Sequence, residues 1–144
     1  MDAAAAGTLY DQAGSLDNLA YCLFVLGEYS DGIAAAQRAL RKLLEQEATV
    51  ESQTDAVSES LLTIGSALCG TGEADMGVKL VSAARRMNRE NGVAEWALGR
   101  LVLDGIETNA RAALGDEGYE AAARRGEALT REEAIELALD VSAG

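Results

Sequence analysis

The chain has 144 residues and a mass of 15.0 kDa, with 24 acidic residues against 12 basic ones and a net charge of -12. One domain of this length can bury a core, and 49% hydrophobic with 25% charged residues is a globular balance, not a disordered one. So acidic a surface repels phosphate, which argues against nucleic acid as a direct partner and against an anionic membrane face.

Helix is the expected state throughout, because the chain carries 28 alanines and no proline. Met1 to about Thr8 is alanine-rich and suits a short helix. From about Tyr10 to Leu26, Leu16, Leu19, Ala20, Leu23 and Leu26 recur at helical spacing, and Gly27 ends the run. A second helix is expected from about Ser30 to Glu45, with Ile33, Ala36, Leu40 and Leu43 on its apolar stripe. The third runs from about Val50 to Leu68 on Val57, Leu61, Ile64 and Leu68, and Gly70-Thr71-Gly72 breaks it. The fourth covers about Ala74 to Asn91, with Val78, Val81, Ala84 and Met87 as its stripe. Arg85, Arg86 and Arg89 crowd its end, where cations suit the helix dipole. Asn91-Gly92 is a stop signal. A fifth helix follows from Val93 to Leu114, stopped by Gly115, then a short one from Glu117 to Arg125. The last, from Arg131 to Val141, opens with a capping box of Thr130 and Glu133. No stretch alternates with period 2, so the expected fold class is all-α, with about seven helices.

The pattern repeats at an offset of 45 residues. Leu19-Ala20, Leu23, Gly27, Tyr29, Gly32, Ala36 and Ala39 match Ile64-Gly65, Leu68, Gly72, Ala74, Gly77, Val81 and Ala84. Small residues at fixed positions let two antiparallel helices approach, and such pairs bury their apolar faces by stacking. Residues 13–46 resemble a tetratricopeptide repeat: Asn18-Leu19-Ala20, Leu23, Gly27-Glu28-Tyr29, Ile33 and Arg38-Ala39-Leu40 stand at its signature positions. Residues 58–91 resemble a second, weaker unit through Ile64-Gly65, Gly72-Glu73 and Ala84, with Ala74 where the family has an aromatic. Gly32 and Gly77 replace the family's alanine, which is expected to loosen each pair slightly. Leu98-Gly99 restarts the pattern, but no glycine turn follows at the family's spacing.

The runs AALGDEGYEAA (112–122) and RGEALTREEAIELAL (125–139) are similar to the C-terminal end of the helical-repeat region in bacterial LuxR-type, MalT-like signalling ATPase regulators. The resemblance implies one helical-repeat domain over 1–144, with units at 13–46 and 58–91 and a C-terminal cap at about 93–142. In that family this region is a sensor or scaffold arm, and the ATPase and DNA reader lie elsewhere. This sequence has no GxxxxGK[ST] phosphate loop. The last 44 residues, 101–144, carry ten acids against four bases, the polar outer face that a solenoid end needs.

The candidate chemistry is binding rather than catalysis. Without histidine, the commonest general base and metal ligand are both missing, so no enzyme activity, cofactor or metal is expected. Cys22 and Cys69 form no metal or redox spacing and read as small buried hydrophobes in a reducing compartment. No apolar run reaches the ~18 residues of a membrane span, and no signal-peptide pattern opens the chain, so a cytoplasmic location is expected. The repeat resemblance implies a concave face lined by the first helix of each pair. It carries Asp17, Tyr21 and Phe24 from the first unit and Leu62, Ser66 and Cys69 from the second. Tyr21 and Phe24 suit partner anchors or, equally, core. Asp17 and Tyr21 occupy the places where the family's carboxylate clamp has Lys and Asn, so a basic or apolar segment suits this groove better. The Arg85, Arg86 and Arg89 cluster suits dipole compensation and pairing with acids, and Trp96 suits the junction before the tail. Tyr119 suits packing of the tail helix.

Two functions follow as expectations. The first is a non-catalytic interaction or sensor module that binds a protein segment or effector in its groove. The second is a self-associating structural protein, a homodimer through Leu16, Leu23 and Ile33 at its N-terminal edge.

Overall fold

Short links dictate the architecture. Three residues separate α1 (Ala3–Val25) from α2 (Tyr29–Glu47), and three separate α3 (Asp55–Gly70) from α4 (Ala74–Glu90), so each pair folds back antiparallel. The two links share one build. Gly27 and Gly72 take left-handed φ values of 84° and 94°. Beyond them, the Glu28 amide donates to the Leu23 carbonyl at 2.8 Å, and the Glu73 amide to the Leu68 carbonyl at 3.0 Å. These are the closing bonds of a Schellman turn, in which glycine avoids the Cβ clash. Glu28 and Glu73 then accept from the amides of Gly32 and Gly77, each at 2.9 Å, and start the next helix. Gly92 ends α4 in the same way, with Val93 donating to Asn88 at 2.8 Å.

The computed structural model describes residues 3–47, 55–95 and 97–142, and the described residues are all-helical. The expected helix start at Val50 and the junction residue Trp96 lie outside the described residues. The first helix runs without a break from Ala3, where a separate short helix was expected. α5 (Ala97–Glu127) and α6 (Arg131–Asp140) complete the order. Gly115 interrupts α5 with φ 75° and ψ 162°, so its arms, 97–114 and 116–127, are two helical stretches. The expected stop at Gly115 is therefore present. The arms fold against each other: Arg111 reaches Glu120 at 2.7 Å and lies over the Tyr119 ring at 4.1 Å, while Ala110 and Ala122 share a core cluster with Val78. Residues 110 and 122 would stand about 18 Å apart along a straight helix.

α2 packs on α1 and α3, and α5 and α6 both pack on α3 and α4. The core runs through all the pairs. Ile33, Leu40, Leu61, Ile64, Leu68 and Leu80 are fully buried within it, and α6 contributes Ala134, Ile135 and Ala138. The capping box is formed: the Glu133 amide donates to Thr130 Oγ1 at 3.1 Å, and the Thr130 amide to Glu133 Oε1 at 3.0 Å. Gln37 of α2 donates to the Ala138 and Val141 carbonyls, at 2.9 and 2.8 Å, and ties down the end of α6. The arginines of α4 serve the same purpose for the tail. Arg86 donates to the Glu127 and Leu129 carbonyls, Arg89 pairs with Glu127, and Arg85 pairs with Glu95.

Three expectations need correction. Gly77 tightens its pair rather than loosening it: a Cβ there would lie 2.6 Å from both Cys69 Sγ and the Gly65 carbonyl oxygen. A Cβ on Gly65 would meet the Gly77 oxygen and Val81 at 2.9 Å, so the two backbones touch where neither residue has a side chain. At Gly32 the space is also tight, 3.3 Å to the Ala20 oxygen. Cys22 is exposed, and Cys69 is half-buried. Ile33 lies in the core at 1% exposure, so it cannot pair with a second chain, and Leu16 and Leu23 are half-buried.

The glycines sort into two kinds, which yields a prediction. Gly77→Ala is expected to destabilise the fold by about 1–3 kcal/mol through overpacking. Gly105, exposed in α5 with nothing within 4 Å of its missing Cβ, is expected to gain about 0.5–1 kcal/mol on Gly105→Ala from lost chain entropy. Urea unfolding of the two variants checks the opposite signs.

Candidate partner-binding groove

A cavity of about 370 Å³ opens between α1, α3 and α5. Helical spacing explains who lines it. Asp17, Asn18, Tyr21 and Phe24 lie on one face of α1; Glu59, Leu62, Thr63 and Ser66 lie on one face of α3; Gly99, Val102 and Leu103 lie on one face of α5. Each set recurs at three- and four-residue steps, so three stripes from three helices converge. Of the six residues that the sequence reading carries onto the concave face, five, Asp17, Tyr21, Phe24, Leu62 and Ser66, stand in this one cavity. Cys69, mapped to the same face, does not line it. It packs instead with the cluster of Val78, Ala110 and Ala122.

Asn18, Glu59 and Thr63 were legible from the same arithmetic, since they continue the α1 and α3 stripes by one helical step. The α5 wall was not legible, because its turn at Gly115 comes too late for the repeat spacing.

Tyr21 and Phe24 are both half-buried, between the two roles that the sequence allowed. Their rings stand tilted with centroids 6.4 Å apart, and Phe24 meets Tyr29 of α2 at 5.9 Å. Tyr29 in turn lies over Gly70 at the end of α3, where a Cβ would overlap its ring. The aromatic row thus links the groove to the turns of both helix pairs, and its tilted geometry is the favourable one.

Asp17 carries the electrostatics. Its carboxylate accepts from Ser60 Oγ at 2.8 Å, across the α1–α3 interface. Burial raises its pKa to about 6, with the Ser60 bond opposing the shift and the neighbouring Glu59 charge adding to it. Among the described residues no cation pairs with Asp17. Ser60 is itself fully buried, so its hydroxyl faces Asp17 and not the cavity. Burial also pushes the Cys69 thiol up to about 11, which keeps it protonated at neutral pH. The groove therefore offers aromatic and aliphatic walls and negative charge.

A second cavity, of about 450 Å³, lies between the starts of α2 and α4 and the end of α6. Its charged lining is Glu73 and Asp140. No family model matches the chain, and no curated protein or solved structure is detectably similar to it.

The raised pKa of Asp17 has a definite sign. Between about pH 4 and pH 6 the folded chain holds a proton at Asp17 that the unfolded chain has lost, so this contribution to stability falls as pH rises. Asp17→Asn keeps an acceptor for Ser60 and removes the buried charge. It is expected to stabilise the fold by about 1–3 kcal/mol at pH 7.5, and the gain is expected to vanish below about pH 4. Urea titrations of both proteins across that range measure the difference.

Proposed function

We propose that the chain is a non-catalytic helical-repeat module that holds a segment of a partner protein in the groove between α1, α3 and α5. The observation that carries this reading is the convergence of one stripe from each of three helices on a single cavity with aromatic walls. Tetratricopeptide-like units stack so that the first helix of each pair lines one concave face, and the 45-residue correspondence of the Gly27 and Gly72 turns supports that assignment. An extended segment suits such a groove because its backbone stays solvated along one side while alternate side chains enter pockets. By analogy with the arms of LuxR-type regulators, the segment belongs to a neighbouring domain or a separate protein, and its binding shifts how the arm docks. On the same reading the module works in the cytoplasm, without a cofactor.

A second reading is a homodimer. It is favoured by Leu19, Val25, Leu26 and Leu101, which are 49%, 61%, 75% and 68% exposed. Sedimentation velocity at micromolar concentration separates the two. The groove reading expects a monomer; the second expects a dimer that Leu26→Glu with Leu101→Glu dissociates.

A phage-displayed peptide library panned on the intact chain tests the groove. Selected peptides are expected to lose at least tenfold in affinity on Phe24→Ala or Tyr21→Ala, as anchor truncation does. Peptides that bind both variants as they bind the parent would overturn the reading.

A further inference from the structure

We infer that the groove recognises a positively charged side chain of its partner, an arginine flanked by apolar residues. The inference rests on the groove reading above and names what enters it. Among the described residues that line the cavity, Asp17 and Glu59 are the charged ones, and both are acidic. They come from different helices, α1 and α3, so a cation between them bridges two walls at once. Asp17 is partly desolvated, and among the described residues its hydrogen-bond donor is Ser60. A half-buried carboxylate that no described cation pairs with gains more from an incoming cation than a fully exposed one does, because water screens the pair less.

The walls favour guanidinium over ammonium. Tyr21 and Phe24 stand beside the two acids with their rings tilted at 51° to each other. Guanidinium is planar, weakly hydrated and able to stack on a ring while its fork donates to carboxylate oxygens. Leu62 and Leu103 supply apolar contact for the residues on either side. The same arrangement rejects an acidic segment twice over, through Asp17 and Glu59 and through the net charge of -12.

The experiment is a heteronuclear NMR titration of the full chain with four blocked pentapeptides, Ala-Leu-X-Leu-Ala. The central X is arginine, lysine, citrulline or glutamate. Citrulline matches arginine in size and lacks its charge. The expected result is that the arginine peptide moves the amide signals of Asp17, Tyr21, Phe24 and Leu62 and binds at least tenfold tighter than the citrulline peptide. Glutamate is expected not to bind. Glu59→Gln, at an exposed position, is expected to cut the arginine preference at least threefold, and Asp17→Asn with Glu59→Gln to abolish it. Equal binding of arginine and citrulline peptides at these signals overturns the charge inference and leaves the groove standing. A lysine peptide, run as control, that outbinds arginine overturns the guanidinium assignment. No shift at the groove signals with any peptide overturns both readings.

Discussion

The contact on which the rest depends is the crossing of α3 and α4 at Gly65 and Gly77. Each glycine faces the other's carbonyl oxygen at a distance that leaves no room for a methyl group. The closeness is a packing device. Two backbones in contact exclude water without long side chains, and Cα–H to carbonyl contacts add a small favourable term. Cys69 and Val81 close the gap from either side. Ala20 and Gly32 make the matching, slightly looser crossing in the first pair. An alanine-rich chain with so few aromatics builds its core from many close, shallow contacts of this kind, and the larger Ile33, Leu40, Leu61 and Leu80 fill the spaces between pairs.

Close crossings set distances but not rotation, and buried polar bonds supply the rotation. Asp17 to Ser60 fixes α1 against α3, Ser58 to Asn88 fixes α3 against α4, and Gln37 fixes α2 against the end of α6. A buried donor left without its acceptor costs free energy, so each bond penalises slippage by one residue. The α1–α3 bond has a second consequence. It brings a carboxylate to the edge of the cavity and holds it there, half desolvated, beside the aromatic pair. The feature that orients the helices is also the one that gives the groove its charge.

Much of this was legible in the sequence, for physical reasons that differ from place to place. The turns at Gly27, Gly72, Gly92 and Gly115 were readable because only glycine takes the left-handed conformation cheaply. The capping box at Thr130 was readable because both of its partners lie within four residues. The groove stripes on α1 and α3 followed from helical spacing and the repeat correspondence. What failed depended on tertiary context. Gly77 looked like a weakened alanine position, and only the approach of Gly65 reveals it as a tight one. Cys22 looked like a core residue by type, yet it lies on the outer face of α1. Ile33 looked available to a second chain until its burial was known. The α5 wall was missed because a long helix with a late turn does not follow the repeat's spacing.

The most direct test of the account is a nuclear Overhauser measurement across the α3–α4 crossing in the intact chain. Strong cross-peaks are expected from the Gly65 Hα protons to the Val81 γ methyls and from the Gly77 Hα protons to the Cys69 Hβ protons. Their presence establishes the backbone contact that positions α3 for the groove. Their absence, with Gly65 instead showing contacts only to its own helix, would contradict the crossing and, with it, the alignment of the three stripes that form the groove.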